Sequence, residues 1–156
     1  MSALLDGLVD GLLGSLKNQE GMEILLVSRA SQVKDHLASE EEVMAFVDTL
    51  FDSYSAVPVH GRWFDEPEPT LAIVLINCCP TVRLWHRFSD KVLWLGMILG
   101  AEFGQEYILR ISFPPGGPVA YTTIRTIFDR MGEPVSQELI HADGTRDALP
   151  EYLAQR

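Results

Sequence analysis

Four side chains in the middle of the sequence carry the nitrogen and sulfur atoms that metal sites and nucleophilic catalysis use. They are His60, Cys78, Cys79 and His86, which the predicted strand order would bring together. A structural zinc site usually shows paired ligands at short, regular spacing, and these residues show no such pairing. A Cys-His pair between Cys78 and His86 would need a third group to orient the histidine, and none is evident. We therefore predict no metal, no cofactor and no catalytic residue.

The stretch 71–113 predicts four antiparallel strands joined by short turns. Its first apolar run is rich in β-branched residues, as is typical of a buried strand. Alternating side chains and a second apolar run predict two more strands, with 89–90 as the hairpin turn between them. A fourth alternating segment closes the meander. The four strands are expected at 71–76, 81–88, 91–99 and 106–113.

Two helices are predicted to pack on one face of that sheet. Ser39 and Glu42 have the spacing of a capping box, and an apolar stripe from Val43 to Phe51 follows them. Pro118 suits the first position of the second helix, which Gly132 ends. The predicted fold class is α+β: an antiparallel β-meander of about five to six strands with two main helices on one face. Short strands are expected at 22–28 and 135–141, a loop at 53–70, a turn at 143–144 and then a polar helix or frayed end.

Residues 1–18 are predicted to form an amphipathic helical extension, and residues 19–156 a single α+β domain. Leucine pairs recur in the extension at the spacing of one helical stripe. Asp6 and Asp10 lie on its polar side, where a helix bound to a membrane usually carries lysine or arginine. We expect the stripe to dock on its own domain or to pair with a second copy. The residues expected in such a homodimer contact are Leu5, Leu8, Val9 and Leu12.

The charge of the chain limits its partners. The formal net charge is −10 over 156 residues, which argues against nucleic acid and anionic membranes and favours a basic protein. No run approaches the roughly 20 apolar residues of a membrane helix, and the first residues lack the cationic leader of a secretion signal. The two cysteines are adjacent and imply no disulfide framework. We therefore expect a cytoplasmic protein.

Aromatic residues beside acidic ones indicate a candidate recognition surface. Two rings stand next to three carboxylates in the predicted loop, and either they pin the loop to the domain or they anchor a partner. Two arginines and a tryptophan share the exposed face of the predicted second strand and would extend the surface. The predicted partner-binding residues are Trp63, Phe64, Asp65, Glu66, Glu68, Arg83, Trp85 and Arg87.

The predicted order of elements resembles that of a known family. From residue 22 the order is strand, helix, long loop, four-strand meander, helix and short strand. The segment 111–115, Ile-Ser-Phe-Pro-Pro, leads into the predicted helix, and 132–135, Gly-Glu-Pro-Val, follows it. This layout over about 22–141 resembles the small acidic immunity proteins, family one, of bacterial polymorphic-toxin systems, some of which neutralise deaminase toxins. The resemblance implies a non-enzymatic inhibitor that occludes the active site of a toxin, in agreement with the acidic charge.

Two alternatives stay open. A secretion chaperone is also small, acidic and cytosolic, and the apolar stripe of the extension would then be its dimer contact. An enzyme or small-ligand-binding domain would instead hold a pocket between sheet and helices, with His86 and a carboxylate of raised pKa inside it.

Overall fold

A seven-stranded antiparallel sheet with two helices makes up the part of the chain that the computed structural model describes. The described residues are 21–28, 40–51, 54–63, 66–76 and 82–149. The strands lie in the order β2-β3-β1-β4-β5-β6-β7, and each neighbouring pair is antiparallel. In chain order the elements are β1 (Met22–Ser28), α1 (Glu40–Asp48), β2 (Tyr54–Trp63), β3 (Glu66–Ile76), α2 (Val82–Glu102), β4 (Tyr107–Phe113), β5 (Ala120–Phe128), β6 (Pro134–His141) and β7 (Arg146–Leu149).

Strand β1 lies between β3 and β4 and is buried along its whole length. Its sequence, Met-Glu-Ile-Leu-Leu-Val-Ser, suits this place because apolar side chains point to both faces of the sheet. Glu23 is the only charged residue of the strand.

Both helices pack on the same face of the sheet, which we call the helix face. Val43 and Val47 of α1 and Leu95 and Leu99 of α2 belong to one buried cluster with strand side chains. The strand residues of that cluster are Leu25, Val27, Leu71, Ile73, Leu75, Ile108 and Ile124. The predicted class, α+β with an antiparallel sheet and two helices on one face, is confirmed for the described residues.

The second helix, however, is not where the sequence predicted it. The strands predicted at 81–88 and 91–99 are wrong, because this stretch forms the single helix α2. A set of its buried and partly buried apolar side chains recurs at intervals of three and four residues, which is the helical period. No turn interrupts the helix at 89–90. Trp85, Val92, Leu95 and Leu99 show this spacing, with Phe88 partly buried between the first two, and every residue from Leu95 to Ala101 is buried.

The helix predicted from Pro118 to Gly132 is also wrong, because residues 120–128 form β5 in the middle of the sheet. Five of its nine residues are β-branched, a composition that favours strands. Ile124 and Thr126 point to the helix face and are fully buried. Pairing with β4 and β6 on either side supplies the backbone hydrogen bonds that a helix would have supplied.

The loop predicted at 53–70 is a hairpin of β2 and β3. The prolines that suggested a loop are tolerated because of their places in the sheet. Pro58 lies on β2, an edge strand. Pro67 and Pro69 lie on β3 before its pairing with β1 begins at Thr70.

Other predicted elements are confirmed. These are the strand at 22–28, the helix after Ser39, the strand at 71–76, the strand ending at Phe113 and the strand at 135–141. The turn at 143–144 is also present, with Gly144 at a φ of +89°. Residues 146–149 form β7 where a helix or frayed end was predicted. The extension 1–18 lies outside the described residues, and none of the described helices is long and apolar enough to cross a membrane.

Candidate functional site

Two polar networks lie between α2 and the sheet, one under each end of the helix. The charged network consists of Glu23, Arg110, Ser112 and Ser89 and lies under the first half of α2. The neutral network consists of Ser28, Gln105, Thr126 and Gln137 and lies under the second half. Buried polar side chains are uncommon unless they are paired, so both networks require an explanation.

Strand pairing places the charged network. Glu23 of β1 lies opposite Ser112 of β4, so both side chains point to the helix face. Arg110, two residues before Ser112, points to the same face. The side chain of Glu23 is 0% exposed and that of Arg110 is 9% exposed. The ion pair is therefore buried within the sheet rather than lying at its rim.

The hydrogen bonds of the charged network converge on one carboxylate oxygen. Arg110 Nε and Ser112 Oγ both donate to Glu23 Oε1, the latter over 2.7 Å. Arg110 Nη2 donates to the carbonyl oxygen and the hydroxyl of Ser89, over 3.0 and 2.6 Å. The arginine thus ties the carboxylate to helix α2.

The second oxygen of Glu23 is buried and has no hydrogen-bond partner among the described residues. A buried carboxylate oxygen that loses its water without gaining a donor is costly, by about 1–3 kcal/mol or more for a charged group. Such an atom is a place where a donor from a ligand would stabilise the complex.

A polar row extends from this network across three neighbouring strands. Arg110 lies opposite Thr122 of β5, and Thr122 lies opposite His141 of β6. Opposed side chains share a face with Cβ atoms about 4.5–5.5 Å apart, so the three residues form one continuous row on the helix face. We call this set, with Glu23 at its inner end, the polar row. Its exposure increases outward, from the buried ion pair to His141, whose side chain is 37% exposed.

Thr122 and His141 add chemistry to the row. The hydroxyl of Thr122 is buried and has no partner among the described residues, as is also true of Glu23 Oε2. His141 Nε2 lies 2.7 Å from Asp147 Oδ2. A carboxylate can only accept there, so Nε2 carries the proton and Nδ1 is the acceptor in the neutral ring. An imidazole oriented in this way is a candidate proton acceptor.

The neutral network closes the other end of the helix onto the sheet. Gln137 Nε2 donates to Met97 O over 2.7 Å and to Thr126 Oγ1 over 3.0 Å. Gln105 exchanges two bonds with the backbone of Ser28, over 3.0 and 3.1 Å. Gly100 permits this approach, since a Cβ there would lie 2.4 Å from Thr126 Oγ1. The network contains no formal charge.

A metal centre has no support in the described part of the chain, where no three His, Cys, Asp or Glu side chains lie together. His60 is exposed on β2 and His86 is exposed on α2. Cys78 and Cys79 lie outside the described residues. Of these four residues the structure thus places only the two histidines, which lie on different elements.

The predicted recognition surface is corrected in its second half. Arg83, Trp85 and Arg87 do not lie on an exposed sheet face, because their segment is helix α2. Trp85 is 7% exposed and packs its ring against that of Phe88, with centroids 5.6 Å apart, whereas Arg87 is exposed. Trp85 therefore belongs to the packed interior of the fold.

The other predicted contact residues are placed only in part. Trp63 ends β2 and pairs with Glu66 at the start of β3, and Glu68 pairs with Gly61. Phe64 and Asp65 lie between the two strands, outside the described residues. The predicted dimer residues Leu5, Leu8, Val9 and Leu12 lie outside them as well.

The polar row was not predicted from the sequence, although a signal for it was present. Glu23 and Arg110 are single charges within otherwise apolar strands, Met-Glu-Ile-Leu-Leu-Val-Ser and Tyr-Ile-Leu-Arg-Ile-Ser-Phe. Charged residues are almost never fully buried unless they are paired, so two such residues in central strands indicate a buried pair. Thr122 and His141 carried no such signal, because Thr122 lies in a segment predicted as a helix and His141 ends a short predicted strand of its own.

No family model and no curated protein matches the chain. Two solved structures do, and both are of a phage SAM lyase. The structure in the apo state is 17% identical, covers 79% of this chain and 90% of its own, and has a TM-score of 0.48. The complex with S-methyl-5'-thioadenosine is 17% identical, covers 81% and 93%, and has a TM-score of 0.46. At this level the similarity assigns no residue and no ligand to this chain.

The comparison corrects the predicted function. The chain was predicted to be a non-enzymatic immunity protein that inhibits a toxin. This prediction is corrected, because both matching structures are of an enzyme. The prediction that it is not an enzyme is corrected with it. The structure also changes the order of elements used for the immunity-protein resemblance, since the long loop is a hairpin and two meander strands are one helix.

Proposed function

We propose that this domain binds a small, positively charged or N–H-donating molecule in the polar row, and that it acts on that molecule as an enzyme. The observation that carries the proposal is Glu23, a fully buried carboxylate with one oxygen held by two donors and the other without a partner among the described residues. A cationic or N–H group is the chemistry that such an oxygen accepts.

The rest of the row supports a small ligand. Thr122 supplies a second unpartnered hydroxyl on the neighbouring strand, and His141 lies at the exposed end, from which a molecule would enter. Few polar groups set among apolar side chains are typical of small-molecule sites. His141, oriented by Asp147, would take the proton in an acid–base step on the bound molecule.

Binding is tested by NMR titration with a panel of small amines, guanidines and sulfonium compounds against neutral counterparts. SAM (S-adenosylmethionine) and S-methyl-5'-thioadenosine form one such pair, since they share an adenosine group and differ in charge. We expect a cationic compound to shift the amide signals of β1, β4 and β5 around the row. The neutral counterpart should bind at least about tenfold more weakly, the equivalent of 1.4 kcal/mol.

Two variants decide whether the row is responsible. Thr122→Val keeps the shape of the side chain and removes an unsatisfied hydroxyl, so the free energy of unfolding should stay equal or rise while ligand affinity falls. Glu23→Gln should abolish the preference for the cation. Glu138→Gln is the matched control, since it removes a paired carboxylate from strand β6 on the opposite face. Equal affinity of wild type, Thr122→Val and Glu23→Gln for every compound would overturn the proposal.

A further inference from the structure

The described sheet ends in two unequal edge strands, β2 and β7. Strand β7 is four residues long, and two of them, Arg146 and Asp147, are exposed charges. Strand β2 is ten residues long, and its stretch 54–60 contains no Asp, Glu, Lys or Arg. Short length and charge both protect an edge strand from pairing with another chain. The two features together protect β7, whereas β2 has neither of them.

Three prolines show which backbone groups of β2 point away from β3. Pro58 of β2 and Pro67 and Pro69 of β3 lie in three pairs that are two residues apart along the ladder between these strands. Opposed pairs of an antiparallel ladder alternate between those that exchange two hydrogen bonds and those that exchange none, so the three pairs belong to one class. Proline has no N–H to donate, and three bonds would be missing if that class were the bonded one. We therefore assign the three pairs to the class without hydrogen bonds.

This assignment leaves a row of backbone groups on the outer side of β2. Tyr54, Ala56 and His60 belong to the same class as Pro58, so their N–H and C=O groups point away from β3. Pro58 adds its C=O group to the row. None of the described strands pairs with this side of β2. Side chains on both faces of the strand are exposed there: Ser55, Val57, Pro58 and His60.

We propose that β2 pairs antiparallel with β2 of a second copy of this chain, about a twofold axis at Val57. A twofold contact uses the same strand of both copies, so it closes as a dimer. Pairing β2 with β7 of another copy would instead build an open filament, and the charges and short length of β7 disfavour it. Val57 suits the axis because its apolar side chain is 37% exposed in the single chain.

The register at Val57 gives the outward-pointing groups partners. Tyr54 would lie opposite His60 of the second copy and exchange two hydrogen bonds with it. Ala56 would lie opposite Pro58 of the second copy and donate one bond, since Pro58 has no N–H. Twofold symmetry doubles each pair, which gives about six backbone bonds between the copies. An axis at Pro58 itself would set two prolines opposite each other, without any bond between them.

The side chains of this stretch also complement themselves. At the axis, Val57 would meet Val57 of the second copy, an apolar pair of β-branched residues. His60 would lie opposite Tyr54 of the second copy, whose hydroxyl donates to Asp48. A ring N–H of histidine beside that carboxylate is a favourable contact. The polar row opens at β6, near the other edge of the sheet, so this pairing would leave it accessible and does not depend on the proposed function.

Sedimentation of the full chain tests the pairing. At about 100 µM we expect the wild type to be mainly dimeric and the dissociation constant to rise at least about tenfold in Val57→Lys, because two ammonium groups would meet at the axis. Val57 is already exposed in part, so the variant should keep the circular dichroism spectrum of the wild type. Val135→Lys is the matched control, since Val135 is an exposed valine of β6, 54% exposed, and its dimer should be unchanged. A monomeric wild type, or a dimer that Val57→Lys does not weaken, would overturn the proposal.

Disulfide formation tests the register. In a chain that also carries Cys78→Ser and Cys79→Ser, Val57→Cys should form a covalent dimer under mild oxidation. The two Cα atoms at the axis would be about 4.5 Å apart, within the range of a disulfide. Ser55→Cys is the control, because its two copies would lie about 13 Å apart along the strands. Faster cross-linking of Ser55→Cys than of Val57→Cys would contradict the proposed axis.

Hydrogen exchange distinguishes a second copy from other occupants of the edge. The N–H groups of Tyr54, Ala56 and His60 should be protected in the dimer and should exchange at least about tenfold faster in monomeric Val57→Lys. Protection that persists in the monomer would assign the outer side of β2 to another part of the same chain, and the proposal would then be wrong.

Discussion

The two ends of helix α2 rest on the sheet in different ways. Under its second half the neutral network joins helix and strands with amide and hydroxyl groups, and under its first half the charged network does so with a buried ion pair. Each network leaves one buried oxygen without a partner among the described residues: Gln137 Oε1 in the neutral network and Glu23 Oε2 in the charged network. Of these two atoms, only Glu23 Oε2 belongs to a charged group.

The difference in charge decides which network is the candidate site. A buried amide oxygen without a partner costs about 1–3 kcal/mol, and a buried carboxylate oxygen costs more, because ions are more strongly solvated than amides. A buried ion pair gains little stability over apolar residues of the same volume, since desolvation of both charges offsets their attraction. The neutral network is thus explained by its role in the fold, whereas the charged network is the one on which the proposed ligand site rests.

Loss of Arg110 should destabilise the domain more than any other single substitution in the two networks. In Arg110→Met the carboxylate of Glu23 stays buried without its cation, so we expect the free energy of unfolding to fall by about 3–5 kcal/mol, measured by urea denaturation. The double variant Glu23→Leu, Arg110→Met should regain most of that loss. Arg146→Met, at an exposed pair with Glu138, should cost no more than about 1 kcal/mol. A loss at Arg110 as small as that at Arg146 would remove the distinction between the two networks.

Gly100→Ala should have an intermediate effect, through the neutral network. Its Cβ would lie 2.4 Å from Thr126 Oγ1, which cannot turn away without breaking its bond with Gln137. We expect a loss of about 1–3 kcal/mol in the free energy of unfolding, with ligand binding in the polar row unchanged.

Gly96→Ala is the matched control for that change. Its Cβ would lie 2.3 Å from Cδ1 of Ile124, the end of a flexible side chain that makes no hydrogen bond, and 3.8 Å from Cδ2 of Leu25. Alanine also favours the helix by about 1 kcal/mol over glycine. This variant should therefore be less destabilised than Gly100→Ala in the same urea titration. The reverse order would show that the neutral network does not depend on close packing of α2.

A substitution in the exposed turn between β6 and β7 should have the smallest effect on the free energy of unfolding. It serves as the reference for the substitutions in the two buried networks. Thr145 donates to Asp143 Oδ1 through its hydroxyl, over 2.7 Å, and through its backbone N–H, over 2.9 Å, and these bonds hold the pKa of Asp143 below its usual value. A lowered carboxyl pKa adds stability above the unfolded pKa, and this is lost as the pH falls through the folded pKa. In Thr145→Val the NMR titration midpoint of Asp143 should rise, with stability at neutral pH nearly unchanged. An unmoved midpoint would mean that the hydroxyl bond has no part in the shift.

Strands β1 and β4 were predicted correctly because their side-chain patterns are typical of strands. The run 22–28 is buried at every position, and most of the run 107–113 alternates between buried and partly buried positions. Helix α1 was also recognisable, because its capping box and stripe are local signals. The hairpin β2-β3 was missed because prolines are judged by their place in a sheet, and an edge position cannot be read from neighbouring residues.

The sequence by itself determined the class of the fold, the apolar strands β1 and β4, the second half of β3 and helix α1, because hydrophobic period and capping act over a few residues. It also contained the two charges, at positions 23 and 110, that are exceptional in apolar strands. Only the tertiary structure decided that 82–102 is a helix, that 120–128 is a strand and that Glu23, Arg110, Thr122 and His141 share one face. The physical reason is twofold. A short hydrophobic pattern fits both a helix and a strand until tertiary packing decides which side chains are buried, and strand register brings together residues up to about a hundred positions apart.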